Sequence, residues 1–305
     1  NRMLIFTIGA LGLHILSGLA GQLSLGHAFF GGVGAYTAVL VGGKSSANLW
    51  GWGLPMWVWL PAAGVVAALV GIAVAPTAVR VRGLYLGIVT LGLIFIGVHL
   101  SRVFPEIAGP GDLGRKWPRL ELRLWKEDSP FLDFSRDGHW LWFDVSKHQK
   151  TYFLMLGLVL LMAWFAANLG RTRTGRALAA IRDRDIAAEI MGVPDYRYKT
   201  TAFAISSFYA GVSGALFASF VGQIPPEQWS LRASVTFLAA LLIGGMGRIS
   251  GVFMGCFFVV MSHRFVEEIV DWAKHQAEGE GLFAGVFDSF ISLKAGDGGL
   301  ISVAE

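Results

Sequence analysis

MLIFTIGALGLHILSGLAGQLSLGHAFFGGVGAYTAVLVGG, residues 3–43, contains no Lys, Arg, Asp or Glu, and neither does the stretch 45–79 that follows Lys44. Runs of this length suit a hydrocarbon core roughly 30 Å thick, which a helix of about 20 residues spans. A soluble core helix would carry a polar stripe every three or four positions, and these runs mostly do not. Over the 305 residues the composition agrees: 54% hydrophobic, 15% charged, mean hydropathy +0.57. Ordinary soluble domains carry roughly 25% charged residues. The 40 glycines fall largely inside apolar runs, where small residues let membrane helices approach closely. The fold expected is therefore all-α, a polytopic transmembrane helical bundle.

Apolar segments are read at 3–20, 28–42, 55–78, 84–101, 151–168, 200–221, 233–247, 249–266 and 282–293, about 8–9 in all, some broken or partial, within a single domain 1–305. The last is short and amphipathic. Two polar regions separate them. Residues 102–150 mix charges of both signs with Trp117, Trp125, Trp140 and Trp142. Residues 171–199 set Arg171, Arg173, Arg176, Arg182, Arg184, Arg197 and Lys199 against Asp183, Asp185, Glu189 and Asp195. Arg and Lys concentrate in short cytoplasmic loops, which places 169–199 inside and the insert 102–150 outside. The same orientation puts Arg80, Arg82 and Arg248 inside, and Gln223–Leu231 and Glu267–Glu280 outside. Trp50, Trp52, Trp57 and Trp59 surround the start of a span and fit an aromatic belt, with ligand stacking as the alternative. The chain opens Asn1-Arg2-Met3 on the edge of an apolar segment with no recognisable leader, so the fold is expected to begin upstream.

Several chemistries find no support. Cys256 is the sole cysteine, which rules out a disulfide framework. His99, His139, His148 and His263 lack metal-ligand spacing with Cys or carboxylates, and no Ser-His-Asp order sits in a recognisable frame. No basic stripe interleaved with aromatics suggests a nucleic-acid partner. The spans hold no Asp or Glu of the kind that marks ion coupling, leaving His14 and His27 as the ionisable groups of the first apolar stretch. The glycine-rich block 244–251 lacks the Lys-Ser/Thr of a phosphate loop. Within it Gly247, Gly251 and Gly255 lie four apart, a spacing for close helix packing.

Two stretches invite a functional reading. Residues 21–36 are polar and glycine-broken between apolar runs: either a short loop, or an interrupted helix of the kind found beside solute pathways. Residues 175–194 suggest an amphipathic helix through Ala177, Ala180, Ile181, Ile186, Ala187 and Ile190, closed by Gly192 and Pro194. It is either a solvated, salt-bridged loop or a helix that docks in a partner's groove.

The chain resembles the permeases of branched-chain amino-acid ABC transporters, in particular the M-type subunit. Three blocks carry the resemblance in order: 17–30 with Gly34-Ala35-Tyr36-Thr37; Arg82-Gly83-Leu84-Tyr85-Leu86-Gly87-Ile88-Val89-Thr90-Leu91-Gly92; and 174–215, followed by the 244–255 block. It implies an importer's multi-pass subunit in a bacterial-type inner membrane. The implied partners are a second homologous permease, two ATP-binding subunits and an extracytoplasmic substrate-binding protein. No cofactor is expected in this chain, ATP and Mg being held by the ATPases, and the chain is not expected to be an enzyme. The ATPase contact it implies involves Arg182, Asp183, Asp185, Ala187, Ala188, Glu189 and Gly192. We place the translocation pathway along Ser24, Gly26, His27, Gly34, Tyr36 and Thr90. Branched-chain amino acids are the expected solute, with urea, short amides or small carboxylates as alternatives, and a secondary carrier as a further one. The insert after Gly114 and the end at 295–305, which lacks a basic Pro-Arg-Gly finish, depart from the family pattern. The insert would serve as a docking surface or as a lid.

Overall fold

The computed structural model describes residues 1–46, 49–81, 83–109, 117–118, 120–122, 132–133, 138–140, 143–222 and 225–278. Helix α1 (Arg2–Leu13) runs into a π-helical stretch, His14–Leu19, and α2 (His27–Gly42) follows after a gap with no regular structure. A short hairpin, β1 (Lys44–Ser46) with β2 (Leu49–Trp52), leads to α3 (Met56–Arg80), α4 (Leu84–Val103) and the single turn α5 (Pro105–Ala108). Within the insert, β3 (Glu121–Leu122) pairs with β4 (Leu132–Asp133), and β5 (Gly138–Trp140) with β6 (Phe143–Val145), both antiparallel. Next come α6 (Lys147–Arg171), α7 (Arg173–Ile190), α8 (Asp195–Val221), a 3-10 turn at Pro226–Trp229, α9 (Leu231–Gly244) and α10 (Ile249–Glu278).

Among the described residues, six helices are long and apolar enough to cross a membrane, and α2 and α9 are shorter apolar helices. Together they account for eight of the nine expected segments; the ninth, 282–293, lies outside the described residues, as does Arg82. The short hairpins are additions to the all-helical expectation. The chain divides into two compact units, 1–256 and 257–305. In the second, 257–278 is helical, with His263 Nε2 3.3 Å from Glu267 one turn on.

In the first unit α8 is the central element, and small residues explain why. Gly34 of α2 lies against Gly211, Gly31 lies against Gly214, and Gly211 also meets Ala63 and Ala67 of α3. Backbones this close gain dispersion contacts that bulkier side chains would prevent. The main buried cluster joins Leu16, Ala20, Phe30, Ala75, Leu86, Leu178, Ala202, Phe203 and Ala210, drawing on the π-helical stretch and on α2, α3, α4, α7 and α8. Buried hydroxyls tie helices to backbones: Ser213 Oγ donates to the Ile5 carbonyl and Tyr209 Oη to Met162, both at 2.8 Å. Large apolar side chains such as Leu69, Phe95, Ile96, Leu160, Trp164 and Phe165 point outward, the pattern of a surface solvated by lipid. Of the four tryptophans read as a belt, Trp50, Trp52 and Trp57 are exposed, whereas Trp59 is buried against Gly42.

The turn between α9 and α10 clarifies the late glycines. Gly251 and Gly255 press on the backbone of Gly244 and Ala240, so their lack of a side chain is what lets the helices meet. Gly247 stands in the turn itself with open space where a Cβ would go.

Arg182 of α7 and Met246 of the α9–α10 turn both reach Gly18, at the end of the first span. At the opposite end the Trp117 amide donates to Gly222 at 3.1 Å, and Arg102 pairs with Glu227.

Candidate functional site

Between the π-helical stretch and α2 the chain takes no regular form from Ala20 to Gly26. The reversal begins at Gly21, whose φ of +67° falls in the left-handed region that favours glycine. From there burial alternates strictly: Gly21 exposed, Gln22 buried, Leu23 half-buried, Ser24 buried, Leu25 half-buried, Gly26 buried. Such period-two burial is the mark of an extended segment with two different faces. Leu23 and Leu25 lie nearest Gly87 of α4, and Gln22 and Ser24 take the other, enclosed face.

The segment then climbs back to the depth of Gly9. His27 Nε2 donates to the Gly9 carbonyl at 2.8 Å, so α2 starts beside the middle of α1 rather than beside its end. The Leu25 amide donates to Thr90 Oγ1 at 3.0 Å, and the Thr90 hydroxyl donates in turn to Gly87 at 2.9 Å. Gly26 sits directly on the Thr90 carbonyl. The Ala28 amide donates to Ser234 Oγ of α9 at 2.9 Å. The bonds from His27, Leu25 and Ala28 go to three different helices, α1, α4 and α9. Residues 20–26 are thus irregular backbone enclosed by α1, α4 and α9, the arrangement that an interrupted helix beside a solute pathway would need.

The break also carries polar atoms with nothing to bond. Both heteroatoms of the Gln22 carboxamide, Ser24 Oγ and His27 Nδ1 are buried without a hydrogen-bonding partner among the described residues. Since Nε2 of His27 donates, Nδ1 of the neutral ring is an acceptor. Leaving a buried polar group unpaired costs about 1–3 kcal/mol each, and folded chains rarely tolerate several in one place. They fall within residues 22–27, at the N-terminus of a helix that begins inside the bundle, where the backbone dipoles present partial positive charge, and together they make a candidate polar cradle. Its chemistry matches a small solute bearing both hydrogen-bond donors and a carboxylate.

Of the residues placed on the pathway, Ser24, Gly26, His27 and Thr90 come together at this break. Gly34 lies further along α2 against Gly211, in a helix contact, and Tyr36 stacks at a tilt on Trp117, ring centroids 5.6 Å apart. Gln22 belongs to the cradle and was not among the residues singled out. Its signal was present in the polar residue alternating with Leu23, Ser24 and Leu25.

The second functional stretch connects to the first. Thr172 caps α7 by accepting from the Gly175 amide at 3.2 Å, and Gly192, at φ +84°, closes it. The helix is interrupted at Arg184, whose φ and ψ are −157° and 94°. The single apolar stripe read from the sequence resolves into two opposite faces. Ala177, Leu178, Ile181 and Ala188 are buried, while Ile186, Ala187, Ile190 and Met191 are exposed, Ile190 by 80% and Met191 by 82%. Asp183, Glu189 and Gly192 are exposed beside the second face, and Asp185 accepts from the Ile186 amide at 2.8 Å. Arg182 turns away from it. Its Nη1 donates to the Gly18 carbonyl at 2.8 Å, its stem packs on Gly21, and Asp183 holds its Nε at 3.1 Å.

Comparison with known proteins adds the family. Residues 1–287 match the family described as branched-chain amino acid transport system / permease component. The chain is 33% identical over 279 residues to the high-affinity branched-chain amino acid transport system permease protein LivM of Escherichia coli (strain K12), covering 88% of this chain and 63% of that protein. The protein of the same description from Salmonella typhimurium is 32% identical over the same shares. The autoinducer 2 import system permease protein LsrC of Enterobacter sp. (strain 638) is 36% identical over 110 residues, 34% of this chain and 31% of that protein. The chain thus spans less than two thirds of the LivM relatives it matches. No solved structure matches it.

Proposed function

The chain belongs to the branched-chain amino acid transport permease family, and from that premise we propose that it is a transmembrane permease subunit of an ABC importer. It carries a small polar solute inward through a bacterial inner membrane, driven by ATP hydrolysed on partner subunits. The observation that carries the reading is the pair of contacts made by α7. One face offers Ile186, Ala187, Ile190 and Met191 to a partner, and Arg182 on the same helix grips the break at Gly18 and Gly21. A partner that moves α7 therefore moves the start of the cradle.

The exposed apolar knob, flanked by Asp183, Asp185 and Glu189, fits a groove on an ATP-binding subunit by the mode in which an amphipathic helix docks. Closing and opening of the ATPase pair rocks α7, and Arg182 passes that displacement to residues 18–26 as one of two discrete arrangements. At the cradle the carboxylate of an amino acid faces the N-terminus of α2, and Gln22, Ser24 and His27 supply bonds to the remaining polar groups. The likeness to LivM favours branched-chain amino acids. Urea, short amides and small carboxylates remain chemically compatible with the same groups, and the partial likeness to LsrC names another imported solute. A second, homologous permease and an extracytoplasmic binding protein complete the proposed assembly.

The test is to purify the tagged chain gently from native membranes, identify what accompanies it, and reconstitute it. Co-purification of an ATPase, with ATP-dependent leucine uptake that is lost on Glu189→Lys, supports the reading. A chain that purifies alone and transports down an ion gradient overturns it in favour of a secondary carrier.

A further inference from the structure

Several hydroxyls of this chain donate back along their own helix. Thr7 bonds the Met3 carbonyl, Thr37 that of Val33 and Ser101 that of Val98, each three or four residues earlier at 2.8 Å. Ser and Thr inside helices commonly do so. Ser17, buried in the π-helical stretch, does the reverse. Its Oγ donates forward to the carbonyl of Gln22 at 2.9 Å, five residues on and already in the break. The Gln22 amide donates back to the Leu16 carbonyl at 3.1 Å. Two adjacent residues of the first span thus hold both backbone groups of Gln22. Both heteroatoms of its side chain are meanwhile buried with no partner among the described residues.

The π-helical form explains the arrangement. Where a helix ends on a glycine of positive φ, here Gly21, the next amide ordinarily reaches the carbonyl five residues earlier, which would be that of Ser17. In the wider ladder Ala20 donates to Ile15 at 3.2 Å, and the Gln22 amide falls on Leu16, one residue further back. Ser17 then meets Gln22 through its hydroxyl. Turns of this kind are rare and recur at functional sites. This one is also held from outside. Beside Ser17, the Gly18 carbonyl accepts from Arg182 Nη1 at 2.8 Å, and a Cβ on Gly18 would collide with the Met246 carbonyl and with His14.

We propose that Ser17 is a positioning residue for the cradle: its hydroxyl, with the Leu16 carbonyl, fixes the backbone of Gln22 so that the unpaired carboxamide is presented to the solute. The inference rests on the importer reading, in which Gln22 binds solute. It supplies the link between Arg182 at Gly18 and the polar groups of the break. A hydroxyl that served only its own helix would bond a carbonyl within that helix, and Ser17 bonds one beyond it.

The experiment uses the complex purified from native membranes and reconstituted. Hydrogen exchange at residues 20–26 and ATP-dependent leucine uptake are read on the same preparation. Ser17→Ala is expected to speed exchange at 20–26 roughly fivefold, the scale of one hydrogen bond, with exchange in α3 unchanged. Uptake is expected to fall by about the same factor or more. Ser17→Thr, which keeps the hydroxyl, restores both. If Ser17→Ala yields no complex, Ser17→Cys, close in size and weaker as a donor, is judged by the same criteria. Unchanged exchange at 20–26 overturns the proposal, as does faster exchange with unchanged uptake. Faster exchange that extends through α3 marks a general loss of structure and overturns it too. Absence of ATP-dependent uptake in the native complex removes the importer reading, and the exchange comparison then still decides whether Ser17 fixes Gln22.

Discussion

Arg182 of α7 donates from Nη1 to the carbonyl of Gly18 across 2.8 Å, joining residues 164 positions apart in sequence. Gly18 lies in the last turn of the first span and Gly21 in the break, so a single side chain connects α7 to the polar cradle. A charged donor on a backbone carbonyl contributes about 1.5–3 kcal/mol when enclosed, and somewhat less at a side chain that is 39% exposed.

Removing that connection separates hydrolysis from transport. Arg182→Ala is expected to leave the ATPase bound and active while uptake falls about tenfold or more, the scale of one such bond. Arg182→Lys, which keeps charge but loses the planar fork, is expected to lie between. Parallel assays of ATP hydrolysis and uptake on reconstituted complexes decide it. Release of the ATPase by either change would place Arg182 at the partner instead.

Gln22→Leu makes a prediction of opposite signs. The carboxamide has no partner among the described residues, so an apolar side chain of similar volume removes an unpaired buried group and leaves stability unchanged or raised by about 1 kcal/mol. Uptake is nevertheless expected to fall, because the cradle loses a donor and an acceptor. Thermal unfolding of the purified complex beside leucine uptake is the measurement. A variant that transports normally would remove Gln22 from the cradle.

At Thr90 the loss should be structural. Thr90→Val deletes the acceptor of the Leu25 amide in a buried site, and is expected to destabilise by about 1–3 kcal/mol. Thr90→Ser retains the hydroxyl and should behave much as the native chain. Gly26→Leu drives a side chain into the Thr90 carbonyl and is expected to abolish uptake; normal uptake in that variant would refute the close approach.

The exposed face of α7 offers a change with no folding consequence. Ile190→Asp alters a side chain 80% exposed, and surface substitutions of this kind stay within about 0.5 kcal/mol. The chain should reach the membrane at native levels but lose its ATPase on purification. Quantifying both bands from one preparation tests docking apart from folding.

Much of this was legible before any coordinates. Charge-free stretches at 3–43 and 45–79 announce spans because the cost of placing charge in hydrocarbon acts on composition alone. The clustering of Arg in 171–199 marks a face by the same local rule, and Gly192 and Pro194 close α7 through backbone chemistry confined to a few residues. A break after the first helix is present as an alternative, since residues 21–36 read equally as loop or interruption.

What the sequence by itself determined is thus the membrane class, the order of spans and the grouping of loops by face, all set by composition and short-range periodicity. Tertiary structure alone decided that Arg182 turns to Gly18, that the apolar residues of α7 divide into buried and exposed sets about the Arg184 kink, and that Gln22 is enclosed without a partner among the described residues. It also decided that Trp117 and Trp229 descend onto α2 while Trp50 and Trp52 stay exposed. The physical reason is range. Hydropathy and propensity act over a few residues, whereas these outcomes depend on which backbones approach closely, and that is settled by glycine contacts such as Gly34 with Gly211 between helices far apart in the chain.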